Sequence, residues 1–167
     1  MRCLAACLLA VSLLMTSCGG AARSRRSQPP VSIRIEALDG GIIDLARYRG
    51  TLVVLHLFTT WSLAAQQDVS QLIAAHEAYT RDVVVIGIAL DPDGYPLVAP
   101  WRRASDVPYL VGIGSQELIT GGSELGRITE VPTTVLLDRG GRIAERIGRA
   151  LGDRELARLL ARLGAGQ

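Results

Sequence analysis

From Val31 onward the chain shows two kinds of apolar pattern. "VSIRIEAL" places an apolar residue at nearly every second position, as a strand buried on one face does. "DGG" then marks a turn, and "IIDLARYRG" reads as a short strand followed by a turn. "TLVVLHLF", ending at Phe58, is almost continuously apolar, the signature of a strand covered on both faces. "DVVVIGIAL", ending at Leu90, repeats that signature and stops at the breaker "DPDGYP". Between these two runs, residues 63–80 have helical spacing. Val69, Leu72, Ile73, His76 and Tyr79 fall near one face, with Asp68 and the glutamines elsewhere.

A short helix is predicted over residues 96–105, then a strand-like piece in "VPYLVGI" and a weak helical turn. In "EVPTTVLLDRGGRIAERIG" two strands flank the tight turn Asp138-Arg139-Gly140-Gly141, a good hairpin signal. The final helix has Asp153 as its expected N-cap and Leu156, Leu159, Leu160 and Leu163 as its apolar stripe. Strand, helix, strand, hairpin, helix predicts an α/β domain: a central mixed β-sheet flanked by helices on both faces.

Composition adds constraints. The 167 residues suit one globular domain plus an N-terminal extension, and 49% hydrophobic content is ample for a core. All 18 basic residues are arginine, against 16 acids, for a formal charge of +2. No concentrated basic face of the kind that binds nucleic acid is visible, so nucleic acid is not expected as a partner.

The cysteines carry more information. Cys3, Cys7 and Cys18 all precede the patterned region. Arg2 and the apolar run "CLAACLLAVSLLM" have the layout of a signal peptide, too short for an ordinary membrane-spanning helix. The run ends at "MTSCGG", which resembles a bacterial lipobox with Met15 where leucine is commonest. That resemblance implies cleavage after Ser17 and lipidation of Cys18, which would attach the protein to a membrane. An ordinary secretory signal cut nearby is the alternative. Gly19 is not an acidic inner-membrane retention signal, which favours the outer membrane in a Gram-negative host. "GGAARSRRSQPP" reads as a tether with no core of its own. The expected layout is therefore a signal peptide at 1–17, lipidated cysteine and tether at 18–30, and one domain at 31–167.

The folded region resembles the TlpA/ResA-like branch of the thioredoxin superfamily, which are membrane-facing thiol–disulfide oxidoreductases. The resemblance rests on "DGGIIDLARYRGTLVVLHLFTTWS", "VVVIGIALD" and "EVPTTVLLDRGGRI", and spans roughly Ile33 to Leu163. It implies a thioredoxin-like fold. It also implies that Pro132 follows a cis peptide bond, and that Val131 presents its backbone to an extended partner beside Trp61. An ordinary trans proline opening a strand is the alternative.

The same alignment puts Ser62 and Ala65 where the family has its two catalytic cysteines. Thiol–disulfide exchange needs an attacking thiolate and a second sulfur to close the ring. A hydroxyl hardly ionises near neutral pH, and alanine offers no leaving group. A peroxidase of peroxiredoxin type needs a cysteine as well. Ser62 and Ala65 are thus vestigial positions, and no catalytic residue is assigned. Two readings follow. One is a redox-inactive module of the cell envelope that binds a protein or peptide through Trp61, Val131 and Pro132. The other is an oxidoreductase by family membership, with sulfur supplied from elsewhere.

The remaining polar residues have modest expectations. Ser62 should cap the following helix rather than act as a nucleophile, since no G-x-S-x-G elbow surrounds it. Asp68 reads as a solvated acid favoured by the helix dipole, and His56 as a partly buried, hydrogen-bonded histidine. Trp61 and Trp101 are both candidates for exposure near the vestigial site. His56 and His76 make a poor metal pair, and Asp91-Pro92-Asp93-Gly94 reads as a turn rather than a calcium loop. No metal and no cofactor is expected.

Overall fold

A computed structural model describes residues 28–166. The expectations for residues 1–27, including lipidation of Cys18, lie outside the described residues.

Seven strands form one sheet: β1 (Arg34–Ala37), β2 (Ile42–Asp44), β3 (Leu52–Phe58), β4 (Val83–Ala89), β5 (Leu110–Ile113), β6 (Thr133–Leu137) and β7 (Ile143–Ile147). The helices are α1 (Leu63–Ala78), α2 (Tyr95–Ala104), α3 (Gln116–Thr120) and α4 (Glu155–Arg162), with a 3-10 turn at Leu45–Tyr48. Strand order is β2-β1-β5-β4-β3-β6-β7. β3, β4 and β5 run parallel, joined by α1 and α2 as crossovers, and the remaining pairs are antiparallel.

Every residue of β3 is buried, because its two sets of side chains enter different cores. Val54 and Phe58 join Val85, Val111 and Leu136 under Leu72 of α1, Val98 of α2, and Leu156 and Leu160 of α4. Val53, Leu55 and Leu57 join Ile86, Ile88, Val135 and Leu137 on the opposite face, closed by Leu45 of the 3-10 turn and Leu118 of α3. That double coverage is why "LVVLHLF" lacks the alternation of a half-exposed strand.

The hairpin forms as its turn residues demand. Gly141 N donates to Asp138 O at 2.8 Å, and Arg142 N to Asp138 Oδ1 at 2.9 Å. Gly141 has φ +75°, and a side chain there would overlap the Arg49 guanidinium lying across the turn. Glycine serves both needs.

Two local expectations need correction. Asp153 does not cap α4: Arg154, at φ 51°, precedes the helix, and no side chain caps from that position. Glu155 reaches back instead, accepting from Gly152 N at 2.7 Å. On α1 the buried stripe is Ala65, Asp68, Leu72 and Ala75, with Val69, Ile73 and Tyr79 at its margin. The helix is rotated from the expected orientation so that Ala65, Asp68 and Ala75 turn into the core with Leu72.

Candidate functional site

β3 ends at Phe58, and the chain turns through Thr59, Thr60 and Trp61 into α1. Asp91, just past the end of parallel β4, fixes that turn. Its carboxylate accepts from Thr60 N at 3.1 Å and from Thr60 Oγ1 at 2.6 Å. Asp91 therefore serves as a turn clamp, a role its sequence context did not suggest. Ser62 caps α1 as expected, its Oγ accepting from Ala65 N at 3.2 Å. A serine so engaged, with His56 Nδ1 hydrogen-bonded instead to Thr134 Oγ1 at 3.1 Å, does not form a nucleophile–base pair.

Ala65 lies buried beneath the turn, whereas Trp61 is 73% exposed and Leu63 70% exposed. The Val131–Pro132 peptide bond is cis. β3 and β6 pair with Leu57 opposite Thr133, and continuing that register sets Pro132 beside Phe58 and Val131 beside Thr59. The fold thus brings Trp61, Ser62, Val131 and Pro132 to one end of two adjacent strands. Among the described residues no group bonds to the backbone N–H or C=O of Val131, which is itself 39% exposed. Trp101 does not join this surface. It is half-buried, with its ring 4.4 Å from that of Phe58.

Beneath the turn lies a polar group that the sequence reading misjudged. Asp68 is fully buried rather than solvated: its Oδ1 accepts from Leu151 N at 2.8 Å, and its Oδ2 lies 4.0 Å from His56 Nδ1. Helix geometry turns position 68 inward with Ala65 and Leu72. Burial raises the Asp68 pKa to about 6, partly offset by the Leu151 hydrogen bond. Burial lowers that of His56 to about 4. His56 Nε2 and Asp68 Oδ2 have no hydrogen-bond partner, and both groups sit in low dielectric. The pair can take up a proton, but no sulfur stands above it to receive one.

No group of three or more histidines, cysteines or acids among the described residues could hold a metal ion. No helix of the described residues is long and apolar enough to cross a membrane. A hollow of about 560 Å³ lies between β7 and α4, lined by Glu145, Arg149 and Arg162 rather than by Trp61 or Val131.

A central β3-α1-β4 unit, a cis-proline strand paired to it and a closing hairpin define the chain as a thioredoxin-like domain. It is similar to a thiol:disulfide interchange protein of the thioredoxin family from Chlorobium tepidum, with TM-score 0.71 and 22% identity over 82% of this chain and 97% of that one. A DsbF homologue from Corynebacterium diphtheriae superposes at TM-score 0.73 with 22% identity, covering 82% and 88% of the two chains. The pneumococcal exposed lipoprotein thioredoxin of Streptococcus pneumoniae gives TM-score 0.66 and 16% identity over 78% and 98%. At these identities the similarity establishes the fold. The chain belongs to the AhpC/TSA family, whose model matches residues 28–151. No curated protein sequence matches it.

Proposed function

We propose that this protein is a TlpA/ResA-like thioredoxin domain of the cell envelope that binds an extended protein or peptide segment without exchanging disulfides. The observation that carries the reading is chemical. Ser62 and Ala65 occupy the turn and first helical residues where a dithiol would have to stand, and residues 28–166 contain no cysteine. The binding half is supported by the exposed Trp61 and by the unpaired backbone of Val131 beside it. A partner strand could bond to both its N–H and its C=O.

The same reading places residues 1–17 as a removed signal peptide, Cys18 as a lipid attachment point, 18–30 as a tether and 31–167 as the domain. Secreted and lipoprotein members among the structural neighbours support an extracytoplasmic location. The outer membrane is favoured by Gly19. A second reading, a thiol–disulfide oxidoreductase in the family's own sense, is favoured by the thiol:disulfide interchange proteins among those neighbours. It requires sulfur from a partner chain or a bound cofactor. Insulin reduction by protein carrying Cys18→Ser, measured with envelope extract added to supply any partner sulfur and with extract alone as background, separates the two. The binding reading expects no turnover above background, and turnover would overturn it.

A further inference from the structure

Past Val131, the β6 side of the groove beside Trp61 carries Glu130. β6 and β7 pair with Thr134 opposite Ile147, so continuing the register sets Gly148 beside Thr133, one residue beyond Pro132. Onto Gly148 folds the side chain of Glu130. A methyl group at position 148 would overlap the Glu130 carboxylate, so glycine lets that carboxylate lie against the backbone there. Thr133 Oγ1 donates to Glu130 O at 2.6 Å, which fixes the backbone from which that side chain springs.

Glu130 is exposed, and among the described residues no arginine pairs with it. The arginines nearest in sequence to Gly148 are committed elsewhere. Arg149 grips Glu155 through two bonds of 2.8 and 2.9 Å, and Arg146 donates to Leu125 O. Asp93, two residues past the Asp91 that clamps the Thr60 turn, is a further exposed acid. The wider field agrees. Four of the 18 arginines (Arg2, Arg23, Arg25, Arg26) precede the described residues, leaving 18 − 4 = 14 against 16 acids, a domain charge of −2.

We infer that the groove selects an extended segment carrying a basic side chain next to an apolar one. The apolar residue would lie on Trp61 and Leu63, and the basic residue would meet the Glu130 carboxylate. The inference rests on the binding reading above and adds the chemistry of the occupant. The unpaired Glu130 carboxylate offers a guanidinium a bidentate acceptor. An acidic segment would instead meet the Glu130 carboxylate and a domain of net negative charge.

The test uses the full chain with three acetylated, amidated hexapeptides, identical and apolar except for one central arginine, alanine or glutamate. Binding is followed by NMR at the Trp61 indole and the Val131 amide. The arginine peptide is expected to bind at least about fivefold more tightly than the glutamate peptide at low salt, with the gap closing at high salt. Glu130→Gln should bring the three affinities together without abolishing binding, and Glu130→Arg should reverse the order. Trp61→Ala should weaken all three alike. Equal affinities in the parent protein, or a preference that survives Glu130→Gln, would overturn the assignment of the basic residue and leave the groove standing. If no peptide perturbs Trp61 or Val131, both readings fall.

Discussion

The buried Asp68–His56 pair makes a prediction with a sign as well as a size. Asp68 is raised from 3.8 to about 6 in the folded state, so keeping it ionised costs stability at neutral pH. A gap of roughly 2 pH units corresponds to about 3 kcal/mol, an upper figure because the interior can relax. That cost is fully felt above pH 6 and is relieved as pH falls toward 3.8. His56 runs the other way. Its folded pKa of about 4 lies below the ordinary 6.5, so its contribution is intact above 6.5 and is lost as pH falls toward 4. The two windows overlap with opposite slopes, and the intact pair nearly conceals both. Asp68→Asn keeps an oxygen to accept from Leu151 N while removing the charge. The variant should be more stable than the parent at pH 7 by up to about 3 kcal/mol, an advantage that shrinks to nothing as the pH approaches 4. His56→Asn should show the opposite trend, gaining on the parent below pH 6.5. Urea unfolding at several pH values, read as the difference between variant and parent, measures this directly. If Asp68→Asn unfolds in parallel with the parent throughout, or is weaker than it at neutral pH, the pair does not titrate as described.

Other perturbations probe the turn and the helix it feeds. Ser62→Ala removes the α1 cap and should cost about 1 kcal/mol by thermal or urea unfolding, while Ser62→Asp should cost little. Asp91→Ala strips the acceptors from Thr60 N and Thr60 Oγ1. It should destabilise by about 1–3 kcal/mol and shift the Trp61 fluorescence, whereas an unchanged spectrum would show that the turn holds without the clamp. The double change Ser62→Cys and Ala65→Cys should create a dithiol that closes to a disulfide, with the thiol at 62 acidified by the helix N-terminus and the one at 65 shielded. Titration with a thiol reagent checks this, and a pair unable to close would place the turn wrongly.

How much of the site could be read beforehand differed from residue to residue. Ser62 was legible as a cap because capping is local: a small hydroxyl directly before a helical run meets the N–H three residues on. The hairpin at Asp138–Gly141 was legible for the same reason. Asp68 was not. Its fate depends on which face α1 turns inward, and that is decided by packing against β4 and α4, outside any local window. Asp91 and Glu130 were also hidden, since each acts on a residue from another element.

What the chain determined by itself is the order of its elements and the missing sulfur, because periodicity and turn residues act over a few positions and a side chain's chemistry needs no fold. The tertiary structure alone decided which polar groups would lose water. Strand register carried Val131 and Pro132 to Trp61 and laid Glu130 on Gly148, and the packing of α1 on the sheet drove Asp68 and His56 into the same dry space. Burial and contact between distant segments are properties of the packed whole, and from them come the shifted proton affinities and the charged wall of the groove.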